Sequence, residues 1–155
     1  MAATATERLA GLGLTLPEVA TPIGSYRPAV AEREFVYSSG QLPLTGGELV
    51  ATGKVGAEVS VDQAAEAARI AALNAVAAVA AAAGGVDKIH RIVKVVVFVA
   101  STPDFTAQPS VANGASDLLA MIFEENGVHA RSAVGVASLP LDAPVEVEIV
   151  ARVVY

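Results

Sequence analysis

The fold is decided by residues 129–155, which read HARSAVGVASLPLDAPVEVEIVARVVY. Residues 132–139 and 145–155 are predicted strands, and in the second of them Glu146 and Glu148 alternate with aliphatic residues. This period of two is typical of a half-buried strand. A turn joins the two strands, because the segment between them holds residues that preset φ or bond their own backbone: Pro140, Asp142 and Pro144.

The preceding sequence predicts further elements in a regular order. They are a short helix at 4–12, strands at 26–31 and 35–41, a tight turn at 45–48, a helix from the Ser60–Gln63 capping box to about Ala83, a strand at 88–100 and a helix at 111–125. Strands and helices in this order indicate an α+β fold, a sheet with two main helices on one face. Residues 95–100 are apolar at every position, so both sides of that strand need a cover. The simplest second cover is a neighbouring subunit.

Composition limits the classes of function. The chain has 155 residues, enough for one domain with a real core. Its net charge of −6 leaves no basic surface for nucleic acid. It has no cysteine, which excludes disulfides and thiolate chemistry and fits a cytoplasmic location. The mean hydropathy of +0.55 would fit a membrane protein, but the most apolar run, at 70–86, is mostly alanine and predicts a packed helix rather than a membrane span.

Arg131 is the candidate binding residue. It stands at the entrance of an otherwise apolar strand, between small neighbours. A guanidinium offers a planar fork of donors that matches a carboxylate or phosphate in bidentate fashion. Taken alone, the pattern favours an ordinary surface arginine at the edge of a strand. The two histidines, His90 and His129, have no third ligand beside them and predict no metal site. His90 is expected at a strand surface, and His129 in a turn or at the rim of a pocket.

Four segments, in order, resemble the RidA family (also called YjgF/YER057c/UK114). They are Pro22–Val30, Phe35–Pro43, the strand at 95–99 with Asp104 and Phe105 after it, and the string from Arg131 to Glu148. The resemblance spans roughly residues 20–155, so residues 1–19 are interpreted as an N-terminal extension of a single RidA-like domain. It implies a chorismate-mutase-like fold that assembles as a homotrimer with clefts between subunits.

The resemblance also implies the roles of individual residues. Arg131 would clamp the carboxylate of a substrate, and Glu146 would position or activate water. Tyr26 would line the cleft, with Ser39 and Gly40 supplying polar or backbone contacts. Two further substrate-binding positions are implied, Asn113 and Ala133, the latter where many family members have cysteine. Neither a metal nor a cofactor is implied.

Two sequence features bear on this implied site. If the last two strands pair as a plain hairpin, Arg131 and Glu146 lie at its opposite ends, on the order of 20 Å apart. They would then share a site only across a subunit boundary. Ala133 and Gly135 both replace larger side chains of the family, which is expected to enlarge the pocket.

Three functions remain, in order of preference. The first is hydrolysis of reactive 2-imino or enamine acids to 2-keto acids with release of ammonia, the activity that the resemblance implies. The second is a protein that binds a small carboxylate without turnover. The third is an endoribonuclease, which the acidic charge disfavours.

Overall fold

A mixed sheet forms the centre of the protein, which a computed structural model describes over residues 1–155. Its five strands are β1 (Ala29–Glu32), β2 (Phe35–Ser38), β5 (Ile89–Ala100), β6 (Ala130–Val136) and β7 (Val145–Val153), in the spatial order β1-β2-β7-β5-β6. Only the β5–β6 pair is parallel. A separate small hairpin joins β3 (Leu44–Thr45) to β4 (Glu48–Leu49), confirming the tight turn at 45–48.

Three helices accompany the sheet: α1 (Ala5–Gly11), α2 (Val61–Ala83) and α3 (Gln108–Phe123). The capping box of α2 is confirmed, since the Ser60 Oγ accepts from the Gln63 N–H at 3.2 Å and the Gln63 side chain accepts from the Ser60 N–H at 2.9 Å. Gly84 ends this helix at a φ of 93°, a conformation that favours glycine. Helix α1 begins with a second capping box, between Thr4 and Glu7.

The two long helices cover one face of the sheet, as predicted. On β5 the side chains of Val95, Val97 and Val99 face α2 and α3 and are fully buried. Val96 and Phe98 face the opposite way and stay half-buried, because nothing in the chain lies over them. The α+β architecture is therefore confirmed, and this part of the second face of β5 has no cover within the chain.

The last two strands are not a hairpin, which corrects the geometry considered from the sequence. β5 lies between β6 and β7, pairing in parallel with the first and antiparallel with the second. β7 is central, between β2 and β5, and its alternate residues, including Val147 and Ala151, are buried under the helices. Alternation identifies a strand but not its neighbours, and chain neighbours pair only about two-thirds of the time.

Helix α3 is held unusually close to α2 at Gly114. A Cβ added there would overlap the backbone carbonyl of Ala65 in α2. The absence of a side chain at this position therefore sets how closely the two helices approach. Because α3 also packs on β5 and β6, this contact fixes where the residues of α3 sit relative to the edge strand.

Helix α2 is long and apolar enough to cross a membrane on length and composition alone, with a hydropathy of 1.4 in its most apolar window. In the structure, 67% of that window is buried against the sheet and α3. Alanines supply most of the buried surface, which lets the helix lie close to its neighbours. Its place is that of a core helix, as the sequence predicted.

Candidate active site

Arg131 lies on β6, the edge strand, and faces α3. It is aligned with Val95 of β5, whose side chain points into the helical layer. The Nη1 of Arg131 donates to the Asn113 Oδ1 at 2.8 Å and to the Ser116 Oγ at 3.1 Å. Asn113 and Ser116 are three residues apart on α3 and therefore share one helix face. The structure thus brings two of the predicted residues, Arg131 and Asn113, into direct contact.

The charge of Arg131 is not neutralised within the chain. The three ion pairs of the protein involve other cations, those of Arg8, Lys54 and Arg69. Both N–H groups of the Arg131 Nη1 are used by neutral oxygens, whereas Nε and Nη2 have no partner in the chain. A guanidinium edge of this kind matches the two oxygens of a carboxylate. The arrangement can therefore bind a small acid in bidentate fashion.

Sequence reasoning did not single out Ser116, and it placed His129 only in a turn or at a rim. The Ser116 Oγ lies 2.9 Å from the His129 Nε2, and the His129 Nδ1 lies 2.6 Å from the Gly127 carbonyl oxygen. Burial lowers the pKa of His129, and the neighbouring charge of Arg131 lowers this pKa further, against the opposing effect of the Gly127 carbonyl. The position of His129 two residues before Arg131 was the signal in the sequence that could have linked it to the site. Ser116, which contacts both residues, could not be found in this way, because α3 reaches β6 only in the tertiary structure.

Two hollows open beside this group of residues. One, of about 270 Å³, lies next to Arg131 and is bounded by α3 and the turn before β6. The other, of about 420 Å³, lies further along β6 next to Gly135. Ala133, between them, points the same way as Arg131 and packs against the core. A small acid held by the free edge of Arg131 would have room beside the strand.

Two side chains lie close to Gly135, where a larger pocket is expected. A Cβ added at Gly135 would lie 2.9 Å from the Gln108 Nε2 and 2.9 Å from the Ser101 Oγ. Gln108 is held there because its Nε2 also donates to the Phe105 carbonyl at 2.8 Å. The space that a larger residue at position 135 would fill is therefore occupied by a side chain from α3.

A second group of predicted residues gathers around Glu146 on β7. A Cβ at Gly40 would overlap the Glu146 carboxylate and lie 2.6 Å from its Cδ, so glycine at position 40 makes room for that carboxylate. Tyr26, 49% exposed, lines a small hollow of about 80 Å³ together with Gly40, Gln41 and Leu141. Gly40 therefore lies next to both Tyr26 and Glu146.

The environment of Glu146 raises the pKa of its carboxyl group. Loss of water around the half-buried side chain is the larger cause, and the nearby charge of Glu148 adds to it. Neither cause is a hydrogen bond, so the carboxylate remains free to take up or release a proton. Ser39 is less available, because its hydroxyl already donates to the Arg27 carbonyl at 2.6 Å.

The two groups lie on opposite faces of the sheet. Arg131 is in register with Val95 and Glu146 with Phe98, three residues along β5, and alternate residues of a strand point to opposite faces. With two strand spacings between β6 and β7, their Cα atoms are about 14 Å apart. Arg131 and Glu146 are therefore separated within one chain, as expected from the sequence. The reason is that they lie on opposite faces of the sheet, not at opposite ends of a hairpin.

These features define an α+β protein with two functional groups on opposite faces of its sheet. One is an arginine without an ion-pair partner on the edge strand, and the other is a glutamate with a raised pKa. The chain belongs to the YjgF (RidA) family. The profile described as "YjgF/chorismate mutase-like, putative endoribonuclease" matches residues 6–153. The family fold suggested by the sequence resemblance is thereby confirmed.

Three solved structures illustrate the likeness. The protein Atu1372 from Agrobacterium tumefaciens, of unknown function, is 44% identical, with a TM-score of 0.89 over 97% of this chain and 92% of that one. A putative endoribonuclease from Shewanella oneidensis MR-1 is 34% identical, with a TM-score of 0.94 over 97% and 100%. TdcF from E. coli, solved with bound serine, is 29% identical, with a TM-score of 0.61 over 87% and 93%.

The share of the chain that each structure matches shows whether residues 1–19 have a counterpart there. A match over 97% of the chain has to include most of this segment, whereas the match to TdcF leaves 13% of the chain uncovered. In the structure, α1 packs on α3, where Arg8 donates to the Ile122 carbonyl, and the Thr6 hydroxyl donates to Asp87 at 2.8 Å. The segment is therefore an integral part of the fold.

Proposed function

We propose that the protein hydrolyses small 2-imino or enamine acids to 2-keto acids and ammonia. The observation that carries the proposal is the Arg131 guanidinium, held by Asn113 and Ser116 through neutral oxygens and left with a free Nε/Nη2 edge. An imino acid presents a carboxylate next to its C=N carbon. Binding the carboxylate through this edge would fix the position of the reacting carbon, and orientation supplies much of the acceleration for an intrinsically reactive substrate.

In the proposed reaction, the oxygen of water forms a bond to the imine carbon and a proton moves to nitrogen. The C–N bond then breaks, ammonia leaves, and the carbon becomes the carbonyl of the keto acid. Glu146 is the residue proposed to accept the proton of the attacking water. A carboxyl group whose pKa is raised is better matched to this task near neutral pH than an ordinary glutamate.

The proposed site is shared between copies of the chain. Because Arg131 and Glu146 face opposite sides of one sheet, both can approach one substrate only if a neighbour supplies one of them. The face that carries Glu146 also carries Val96 and Phe98, which lack a cover in the single chain. A closed ring of three copies in a cytoplasmic protein would cover this face and create three equivalent clefts. Ala133, Tyr26 and Gly40 are proposed to line them.

The serine bound to TdcF supports a ligand of this size and charge for the present chain, since serine also carries a carboxylate beside a nitrogen-bearing carbon. The words "putative endoribonuclease" in the family description suggest RNA instead. The net charge of −6 favours the small acid, because phosphate binding depends on clustered cations. A protein that binds a small carboxylate without turnover is the second candidate, and the same arginine edge supports it.

The test is a coupled assay in which a pyridoxal-phosphate-dependent serine or threonine dehydratase releases the imino acid and keto acid formation is followed. We expect the protein to accelerate this step. Arg131→Ala should lower kcat/KM by about 100-fold or more, the cost of losing a charged bidentate contact. Arg69→Gln, on the exposed face of α2, is the matched control and should leave the rate unchanged.

Three outcomes separate the candidates. No acceleration by the wild-type protein, or equal acceleration by Arg131→Ala, would overturn the enzymatic proposal. Binding of 2-oxobutyrate that depends on Arg131, without turnover, would establish the binding protein instead. RNA cleavage by stringently purified protein that is lost in Arg131→Ala would favour the endoribonuclease.

A further inference from the structure

The contacts around Arg131 continue beyond Ser116 and allow only one assignment of hydrogens for a neutral histidine. The Gly127 carbonyl can only accept, so the His129 Nδ1, 2.6 Å away, carries the hydrogen. In a neutral imidazole, Nε2 is then an acceptor and receives the single hydroxyl hydrogen of Ser116 over 2.9 Å. The Ser116 oxygen is left to accept from the Arg131 Nη1. The direction of every bond in the chain of contacts follows.

The far end of this chain of contacts is anchored to α3. Gly127 is buried, and a Cβ at this position would overlap the backbone carbonyl of Leu119. The turn before β6 is therefore pressed against the helix, which holds the Gly127 carbonyl in place for His129. Since Ser116 and Asn113 are themselves on α3, the helix supports both ends of the network.

From these contacts we propose that Ser116 and His129 are positioning residues, which hold the Arg131 Nη1 and so direct its Nε/Nη2 edge towards the carboxylate of the ligand. This inference rests on the proposed function, and it identifies which edge of the guanidinium binds the acid and what keeps that edge in place. Neither residue touches the reacting atoms. Their effect is on binding of the acid, which the Michaelis constant reports.

The network depends on a neutral His129. Protonation would turn Nε2 into a donor, so the Ser116 hydroxyl would lose its acceptor and a second cation would stand near Arg131. The charged groups around His129 are Arg131 on β6, Asp117 on α3, which borders the same hollow, and Arg91 on β5, which binds the adjacent Val128 carbonyl. Burial and Arg131 lower the pKa of His129, so the network is intact at neutral pH and opens only in acid.

The first test is a long-range ¹H–¹⁵N NMR experiment on the ¹⁵N-histidine-labelled full-length protein. The chain has two histidines, and exposed His90 serves as the internal control. We expect His129 to carry its hydrogen on Nδ1 and to be mostly neutral at the ordinary histidine pKa of about 6.5. A hydrogen on Nε2, or half protonation of His129 at or above about pH 6.5, would overturn the proposal whether or not the protein is an enzyme.

The second test uses kinetics of the dehydratase-released imino acid. Ser116→Ala should raise KM about fivefold, the effect of one lost hydrogen bond, with little change in kcat, and Ser116→Thr, which retains a hydroxyl, should restore it. The wild-type KM should rise in acid below the ordinary histidine pKa of about 6.5. His129→Gln keeps an acceptor that does not titrate and should remove this rise, while His90→Gln should not.

The outcomes distinguish the two proposals. Turnover with an unchanged KM in Ser116→Ala, or an acid rise that persists in His129→Gln, would overturn the positioning role and leave the enzymatic function standing. If no turnover is found, the same variants are compared by calorimetry for binding of 2-oxobutyrate. Weaker binding by Ser116→Ala would then support the positioning role, and equal binding would overturn it.

Discussion

Arg131 and Glu146 lie on opposite faces of the same sheet, on strands that flank β5 from either side. Arg131 turns towards α3 and is held there by Asn113 and Ser116, whereas Glu146 points away from the helices, next to Gly40. A small acid bound by the arginine of one chain therefore cannot contact the glutamate of that chain. If both residues serve one reaction, two copies have to contribute to each site.

A subunit-mixing experiment tests this sharing. Co-expression of Arg131→Ala with Glu146→Gln, each strongly impaired alone, should restore roughly a quarter of the sites, since each site draws its arginine and its glutamate from different neighbours in a ring. The measurement is the deaminase rate per protomer of the purified mixture.

The matched control for mixing is the double variant with both substitutions, combined with wild-type protein. A shared site predicts that roughly a quarter of the sites stay intact, whereas a site within one chain predicts roughly half. Absence of any recovery in the first mixture, together with half activity in the second, would contradict the shared site.

Gly40→Ala should displace the Glu146 carboxylate. The added methyl group would occupy the position of the carboxylate, whose flexible side chain can move away at little cost in stability. We expect kcat to fall at least tenfold, while the free energy of unfolding changes by less than about 0.5 kcal/mol. Steady-state kinetics and chemical denaturation measure the two quantities.

Gly11→Ala is the control for this substitution, because a Cβ at Gly11 meets nothing within 4 Å. In a Glu146→Gln background, Gly40→Ala should add little further loss, since the two changes act on the same carboxylate. Additive losses would show that Gly40 acts in another way.

The pH dependence of the reaction should report Glu146. Its pKa is raised above the ordinary value by loss of water and by Glu148. A proton acceptor has to be ionised, so kcat should fall as the pH is lowered through a midpoint above 4.5. Glu146→Gln should lower kcat and abolish this acid limb of the kcat profile, while the rise of KM assigned to His129 should remain. A limb that remains in Glu146→Gln would assign it to another group.

The same shift predicts a change in stability. An acid whose pKa is higher in the folded state binds protons better there, so its contribution is most favourable below 4.5 and is lost as the pH rises through the folded pKa. Glu146→Gln should therefore raise the thermal midpoint at pH 7 and leave it nearly unchanged at pH 4. The gain should stay below about 1 kcal/mol, because solvent screens a half-exposed charge.

Gly114→Ala should destabilise the fold. Its methyl group would meet the backbone carbonyl of Ala65, which cannot rotate away as a side chain can, so α3 would have to shift from α2. We expect a loss of about 1–3 kcal/mol in the free energy of unfolding, measured in urea against Gly11→Ala. An unchanged stability would mean that the two helices can separate freely at this point.

The sequence by itself determined the secondary structure, because the signals for it are local. The Ser60–Gln63 capping box and Gly84 set the ends of α2, and the alternation around Glu146 identified β7. The family motif also led to Arg131 and Asn113, which the structure joins by a hydrogen bond. The conclusion that Arg131 and Glu146 do not meet in one chain was correct as well, although the reason for it was not.

Tertiary structure alone decided which strands are neighbours and which residues surround the arginine. The insertion of β7 between β2 and β5 pairs the backbone groups on both of its edges, and no local pattern records which strands provide this pairing. Ser116 and Gln108 come to β6, and Ser116 to His129, because close packing at Gly114 and Gly127 sets the position of α3. Local patterns fix the conformation of a segment, whereas its partners follow from the packing of the whole chain.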